Sequence, residues 1–160
     1  MIFLIKRLIL AGSLLIASTG LVLAYSGNHS FGGPAETTTS NGHSYTSDYV
    51  SSGTFPYNGH GSYDASKVNL TGIFSVYSED GVAYNPPEQY CVKTTGSISR
   101  RGTGKLQEKV YSDLGCTVFL KTKNYTVKSY SENSIGDFTL VTTDGSGVTY
   151  TTSGIHSNTP

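Results

Sequence analysis

This chain has little from which to build an aliphatic core. Its 160 residues contain no Trp, one Met and two Cys, and hydrophobic types make up only 36%. Charge is equally scarce at 14%, with 11 basic and 11 acidic residues, so a generally basic nucleic-acid binder is excluded. There is no His-x-x-His, no Cys-x-x-Cys and no Asp-rich calcium loop, and therefore no compact metal-ligand spacing. Nor is there a Gly-x-Ser-x-Gly elbow to present a nucleophilic serine. His29, His43, His60 and His156 all lie outside the best-patterned part of the chain, where a general base is hard to hold in position. No catalytic residue, metal ligand or cofactor is assigned on these grounds, and an enzyme is not expected.

The longest apolar run is at the start. Lys6 and Arg7 precede an uncharged stretch from Leu8 to Ala24, and Val22-x-Ala24 gives the small-residue pattern of a signal-peptidase site. Residues 1–24 are read as a signal peptide, with an uncleaved N-terminal membrane anchor as the alternative. Either reading makes the protein secreted or extracytoplasmic, at the cell surface if the segment is retained. In that oxidising setting Cys91 and Cys116 are expected to form a disulfide. Closing a loop of about 26 residues stabilises a fold by about 3.5 kcal/mol in the chain-entropy model.

What the chain does have is Gly, Ser, Thr and 12 Tyr. Tyr and Thr suit pleated, half-buried surfaces and Gly and Ser suit turns, which points to a β protein. Residues 25–66 have Val50 as their only branched aliphatic, together with a loose Asn-His-Ser-aromatic repeat. They read as a flexible low-complexity arm. Its Tyr45, Tyr49, Phe55, Tyr57 and Tyr63 either stack on a sugar or protein partner or pack against the domain behind.

From Lys67 the pattern becomes period two: Val68, Leu70, Phe74 and Val76 alternate with polar residues, with Gly72 marking a bulge. Glu79-Asp80-Gly81 is a turn, and Asn85-Pro86-Pro87 ends a short return strand. Residues 105–114 carry Leu106, Val110 and Leu114 at helical spacing before Gly115, which favours a short helix, with a hairpin as the alternative. Short strands around Lys123-Asn124 and the Asp144-Gly145-Ser146-Gly147 turn complete the pattern. The expected fold is mainly β: a small antiparallel sandwich or barrel-like domain over 67–153, with at most one short helix and a frayed tail over 154–160.

Charge is unevenly distributed. Acids dominate before residue 90, and the middle carries Lys93, Arg100, Arg101, Lys105, Lys109, Lys121, Lys123 and Lys128 against Glu108 and Asp113. Loss of Lys6 and Arg7 would leave nine bases against eleven acids, a net charge of −2. Arg100, Arg101, Lys105 and Lys109 are therefore candidates for contact with an anionic surface, the arginines leading from a glycine-flanked loop that the disulfide would anchor. The alternative is that basic strands pair with acidic ones within the fold. The expected partner is a protein, glycan or anionic polymer outside the cell, not nucleic acid. Membrane contact is expected only through the N-terminal segment or transiently at a surface. The expected function is a non-catalytic binding module; the alternative is a bacteriocin-like antibacterial or toxin-like protein acting on another cell's envelope.

Overall fold

The computed structural model describes residues 29–54, 67–99, 101–133, 135–155 and 157–159. Residues 1–24 lie outside them. Eight strands follow one another: β1 (His29–Thr39), β2 (Ser44–Thr54), β3 (Val68–Glu79), β4 (Val82–Ile98), β5 (Gly104–Tyr111), β6 (Phe119–Glu132), β7 (Asp137–Asp144) and β8 (Thr149–Ile155). Each pairs antiparallel with the next, and β8 returns to β1, so the sheet closes into a barrel. A short β9 (Ser157–Thr159) adds to β1. The expected antiparallel β domain is borne out, and no helix occurs among the described residues.

Because the strands alternate in direction, the β1–β2, β3–β4, β5–β6 and β7–β8 connections share one end, here the upper one. The β4–β5 and β6–β7 connections lie at the other end. Register partners share a face of the sheet, so the buried residues identify the inner wall. Val68, Ile98, Leu106, Val127, Tyr130 and Phe138 form its lower part, with Ala35 and Tyr49 above. Ile98 is fully buried and Val127 is 1% exposed. Each such aliphatic side chain contributes about 1.5–3 kcal/mol on leaving water. Tyr49 stacks on Phe74 at 5.8 Å and meets the edge of Phe138 at 6.3 Å, so aromatic rings occupy space for which the chain has few aliphatics. The outer wall carries Thr, Ser and Lys, the reverse of a barrel whose outside faces lipid.

Several sequence expectations are corrected. Residues 29–54 are not part of a flexible arm: they form β1 and β2, with Tyr49 buried in the core. Glycine, Ser and Thr give these strands little hydrophobic signal, but Tyr45, Tyr49 and small residues suffice for their inner faces. Residues 55–66 lie outside the described residues. Residues 105–114 are not helical; β5 and the first turn of the following loop occupy them, with Leu106 and Val110 facing inward. Their even spacing fits a strand as well as a helix. The supposed break at Lys123-Asn124 is interior to β6, and the tail pairs through β8 and β9.

Gly72 marks a close approach rather than a bulge. A Cβ there would lie 2.4 Å from the Ser51 Cβ and 2.6 Å from the Val50 carbonyl oxygen. The irregularity in β3 falls between Val76 and Ser78. Asp80 and Gly81, at φ 50° and 79°, make the two-residue turn expected after Glu79. Pro86 and Pro87 sit between the Ala83 and Glu88 pairings, where no ladder bond is required of them.

Candidate functional site

The candidate cations sort by face and by end. Lys93 on β4 and Lys105 and Lys109 on β5 all project from the outer wall, since their neighbours Val92, Leu106 and Val110 point inward. Lys93 lies directly opposite Lys109 in the β4–β5 register. Like charges in that position repel, and Lys93 gains only partial compensation by resting 4.9 Å from the Tyr111 ring centroid. No outward-facing Asp or Glu stands on β4 between Gln89 and Ser97, on β5, or on β6. Among the described residues the one ion pair is His43–Asp80, while Lys123 of the basic middle stands in register with Glu108 on the inner face.

Arg101 occupies the tight turn at the lower end of the β4–β5 hairpin. Ser99 and Thr103 close it through Ser99 N to Thr103 O at 2.7 Å, and Gly102 N donates to Ser99 O at 2.8 Å. Arg100 lies outside the described residues. The disulfide joins Cys91 to Cys116 as expected, but it does not anchor this turn. Cys91 is near the upper part of β4, a strand's length from Ile98, and Cys116 belongs to the β5–β6 loop. The turn is ordered by its own hydrogen bonds.

What the disulfide anchors is the loop over residues 112–118, which folds against the outer wall and leaves the outward-facing Cys91 fully buried. The Asp113 carboxylate organises it, accepting from Val118 N at 2.5 Å, from Thr117 N at 2.9 Å and from the Thr117 hydroxyl at 2.8 Å. These donors hold the Asp113 carboxyl below its ordinary range, the Val118 amide having the largest effect. Ser112 N donates to Val118 O at 3.0 Å across the base of the loop. Leu114, Val118, Phe119 and Leu120 are each about half exposed on this held segment. Sequence reasoning singled out only Leu114, as a helix position; the consecutive Val118-Phe119-Leu120 looks like a buried strand when read alone.

Beside Lys105 runs a shallow outer groove of about 490 Å³, lined by Thr95, Gln107, Asn124, Thr126, Thr143 and Asp144 among others. Gln107 Nε2 donates to Asn124 Oδ1 at 3.0 Å along its floor. The inner wall at the upper end is different again. Glu108 and Lys123 are register partners there, and the Tyr125 hydroxyl bonds to Glu108. Glu108 keeps some solvent contact but is surrounded by protein, and this burial pushes its carboxyl up, with Lys123 and Tyr125 opposing. The Tyr150 hydroxyl donates to Asp144 Oδ2 at 3.0 Å, and Tyr84 donates to Glu79 Oε2 at 2.7 Å.

His43, Glu79 and Asp80 lie with ligand atoms within 4.8 Å of one another at the upper rim. His43 Nδ1 and Asp80 Oδ2 are 2.8 Å apart, while Asp80 Oδ1 accepts from Ser44 N at 2.7 Å. Protein donors therefore already engage these carboxylates, and the cluster ties the β1–β2 hairpin to the β3–β4 turn. Ser146 donates to Asp144 Oδ1 at 2.7 Å as part of the β7–β8 turn, consistent with a turn role. Comparison with family models, curated proteins and solved structures found no match to this chain.

Proposed function

We propose that this protein is a non-catalytic binding module working outside the cytoplasm, which meets an anionic partner with the outer wall of β4–β6. The observation that carries this reading is Lys93 set opposite Lys109, with no outward carboxylate on β5, on β6 or on β4 between Gln89 and Ser97, and with the nearby Asp113 carboxylate engaged by its own loop. A bound polyanion relieves that repulsion and supplies the missing counter-charge. The neighbouring groove, with its amide and hydroxyl groups, suits a hydroxylated envelope polymer better than a bare ion. The Cys91–Cys116 disulfide fits an oxidising compartment, and residues 1–24 serve as the export signal or a retained anchor. Among the described residues no helix is long and apolar enough to cross a membrane.

Binding of the purified protein to immobilised heparin, as a soluble stand-in for an anionic polymer, tests this. Affinity should fall as salt rises and fall further in Lys93→Gln/Lys109→Gln. Salt-independent binding, or an unchanged double variant, would remove the basis for the reading. The envelope-directed antibacterial reading has one observation in its favour, the apolar segment beside these lysines, and growth inhibition of neighbouring strains is its test.

A further inference from the structure

We infer that the disulfide-held β5–β6 loop is a membrane-docking tip, and that the anionic partner of the lysine wall is the surface of a lipid bilayer. This rests on the reading of that wall as an anion-seeking face and names its target. Four of the large exposed hydrophobic residues fall within seven consecutive positions: Leu114, Val118, Phe119 and Leu120, at 53%, 54%, 54% and 49% exposure. Neighbouring strand residues point to opposite faces, yet every residue over 117–122 is exposed. The segment is thus open to solvent on both faces while its backbone pairs with β5. A protein partner docking on one face would leave the other apolar face in water, whereas a bilayer surrounds both.

Charge complementarity selects the kind of bilayer. Phe119 is the register partner of Tyr111, whose ring lies under the Lys93 ammonium, and the two rings meet edge-on at 5.9 Å. Lys109 lies opposite Thr122, and Lys121 directly follows the apolar run. Lysine stems can lie along the apolar tip while their ammonium groups reach the headgroup layer, so Lys93 and Lys109 on the outer face and Lys121 on the other fit anionic phospholipid. The depth is limited by the backbone. β6 pairs with β7 only from Tyr125 onward, which leaves residues 119–124 with one strand edge that needs water. The tip therefore enters the headgroup and upper acyl region and does not span.

The loop is also ready for this role before it binds. Cys116 and the Asp113 carboxylate fix it on both sides of Thr117, so little conformational freedom is lost on docking. A flexible loop of the same composition would instead fold its apolar residues back against the protein.

The absence of Trp supplies a direct probe. Phe119→Trp, and separately Leu114→Trp, each introduce the only indole in the protein. Emission should shift to the blue on adding phosphatidylcholine vesicles containing phosphatidylglycerol, and not with phosphatidylcholine alone. Phe119→Ser/Leu120→Ser should weaken partition onto the anionic vesicles by more than about tenfold, while heparin binding stays at the wild-type level. Lys93→Gln/Lys109→Gln should weaken both, by about fivefold for each lysine on the vesicles. Unshifted emission from both indole variants, with heparin binding intact, would overturn the membrane inference and leave the anionic-polymer reading standing. Loss of heparin binding in the wild type as well would remove both.

Discussion

At the lower end of the barrel the inner wall is hydrocarbon and aromatic ring: Val68, Ile98, Val127 and Phe138, with Leu106 above them. At the upper end the same strands turn inward Thr94, Glu108, Lys123 and Asp144, with Val92 and Val110 as the aliphatic residues among them. Thr37 and Thr152 there share a hydroxyl–hydroxyl hydrogen bond of 2.9 Å, and Thr142 is buried. Packing can hold the first end, and at the second it has only Val92 and Val110 on β4 and β5 to work with. The upper end is instead stitched by local polar bonds and by the Cys91–Cys116 bridge, placed where hydrocarbon is short. The exposed apolar residues of the tip belong to this upper end as well, beyond the inward Val92 and Val110.

Breaking the covalent stitch should have the largest effect. Replacing both cysteines by alanine is expected to cost about 3.5 kcal/mol in urea unfolding, by relaxing the unfolded chain. Before global unfolding, amide exchange should rise around 110–120 while Ile98 and Val127 remain protected. Loss of protection first at the lower end would contradict the division. Ile98→Ala should come next, at about 3 kcal/mol, because a fully buried side chain leaves a cavity. Thr94→Ala on the same strand should cost less than half as much. Equal costs at the two positions would mean that the lower core is not the packed one.

How much of this was legible beforehand differs between the same regions. Val68, Leu70, Phe74 and Val76 announced β3 because an inward aliphatic at every second position is a strong signal. The cysteine pair announced the bridge. β1 and β2 gave no such signal: the closed barrel places Ala35, Ser47, Ser51 and glycines on their inner faces, around the Tyr49 ring that meets Phe74 and Phe138. Small residues there are a packing complement, and in a linear reading they resemble a linker. The outward register of Lys93 against Lys109 was equally hidden, since charge counting shows a basic middle but not a shared face. The tip was hidden for the opposite reason: three consecutive apolar residues suggest burial, and only the fold shows them standing outside it.

Glu108 gives a smaller and directional effect. Its carboxyl is pushed up by burial inside the upper mouth. A group whose folded value is raised contributes stability that is present below its unfolded value and is lost as pH rises through the folded one. At neutral pH the charged form is therefore the costly one. Glu108→Gln, which keeps an oxygen for the Tyr125 hydroxyl, should melt at a higher temperature than wild type near neutrality. The gap should close as the pH is brought below the unfolded carboxyl value of about 4.3. A variant that melts lower at neutral pH would show that Lys123 holds the charged carboxylate more strongly than burial opposes it.

The smallest expected effect belongs to the rim, where His43 and Asp80 join two hairpins in water. The Asp80 hydrogen bond, then its charge, raises the His43 imidazole above its ordinary 6.5. The same bond, followed by that from the Ser44 amide, lowers Asp80 below its ordinary 3.8. The two signs define one window. The histidine contribution is complete below about pH 6.5 and disappears as pH rises through the raised value. The aspartate contribution is complete above about pH 3.8 and disappears as pH falls through the lowered value. Wild type should therefore exceed His43→Gln in melting temperature most clearly between those limits, and the two should converge in alkaline buffer. Both groups are exposed, so the difference should shrink with added salt as well. A gap that persisted unchanged through alkaline pH would assign the role of His43 to neutral hydrogen bonding and not to its charge.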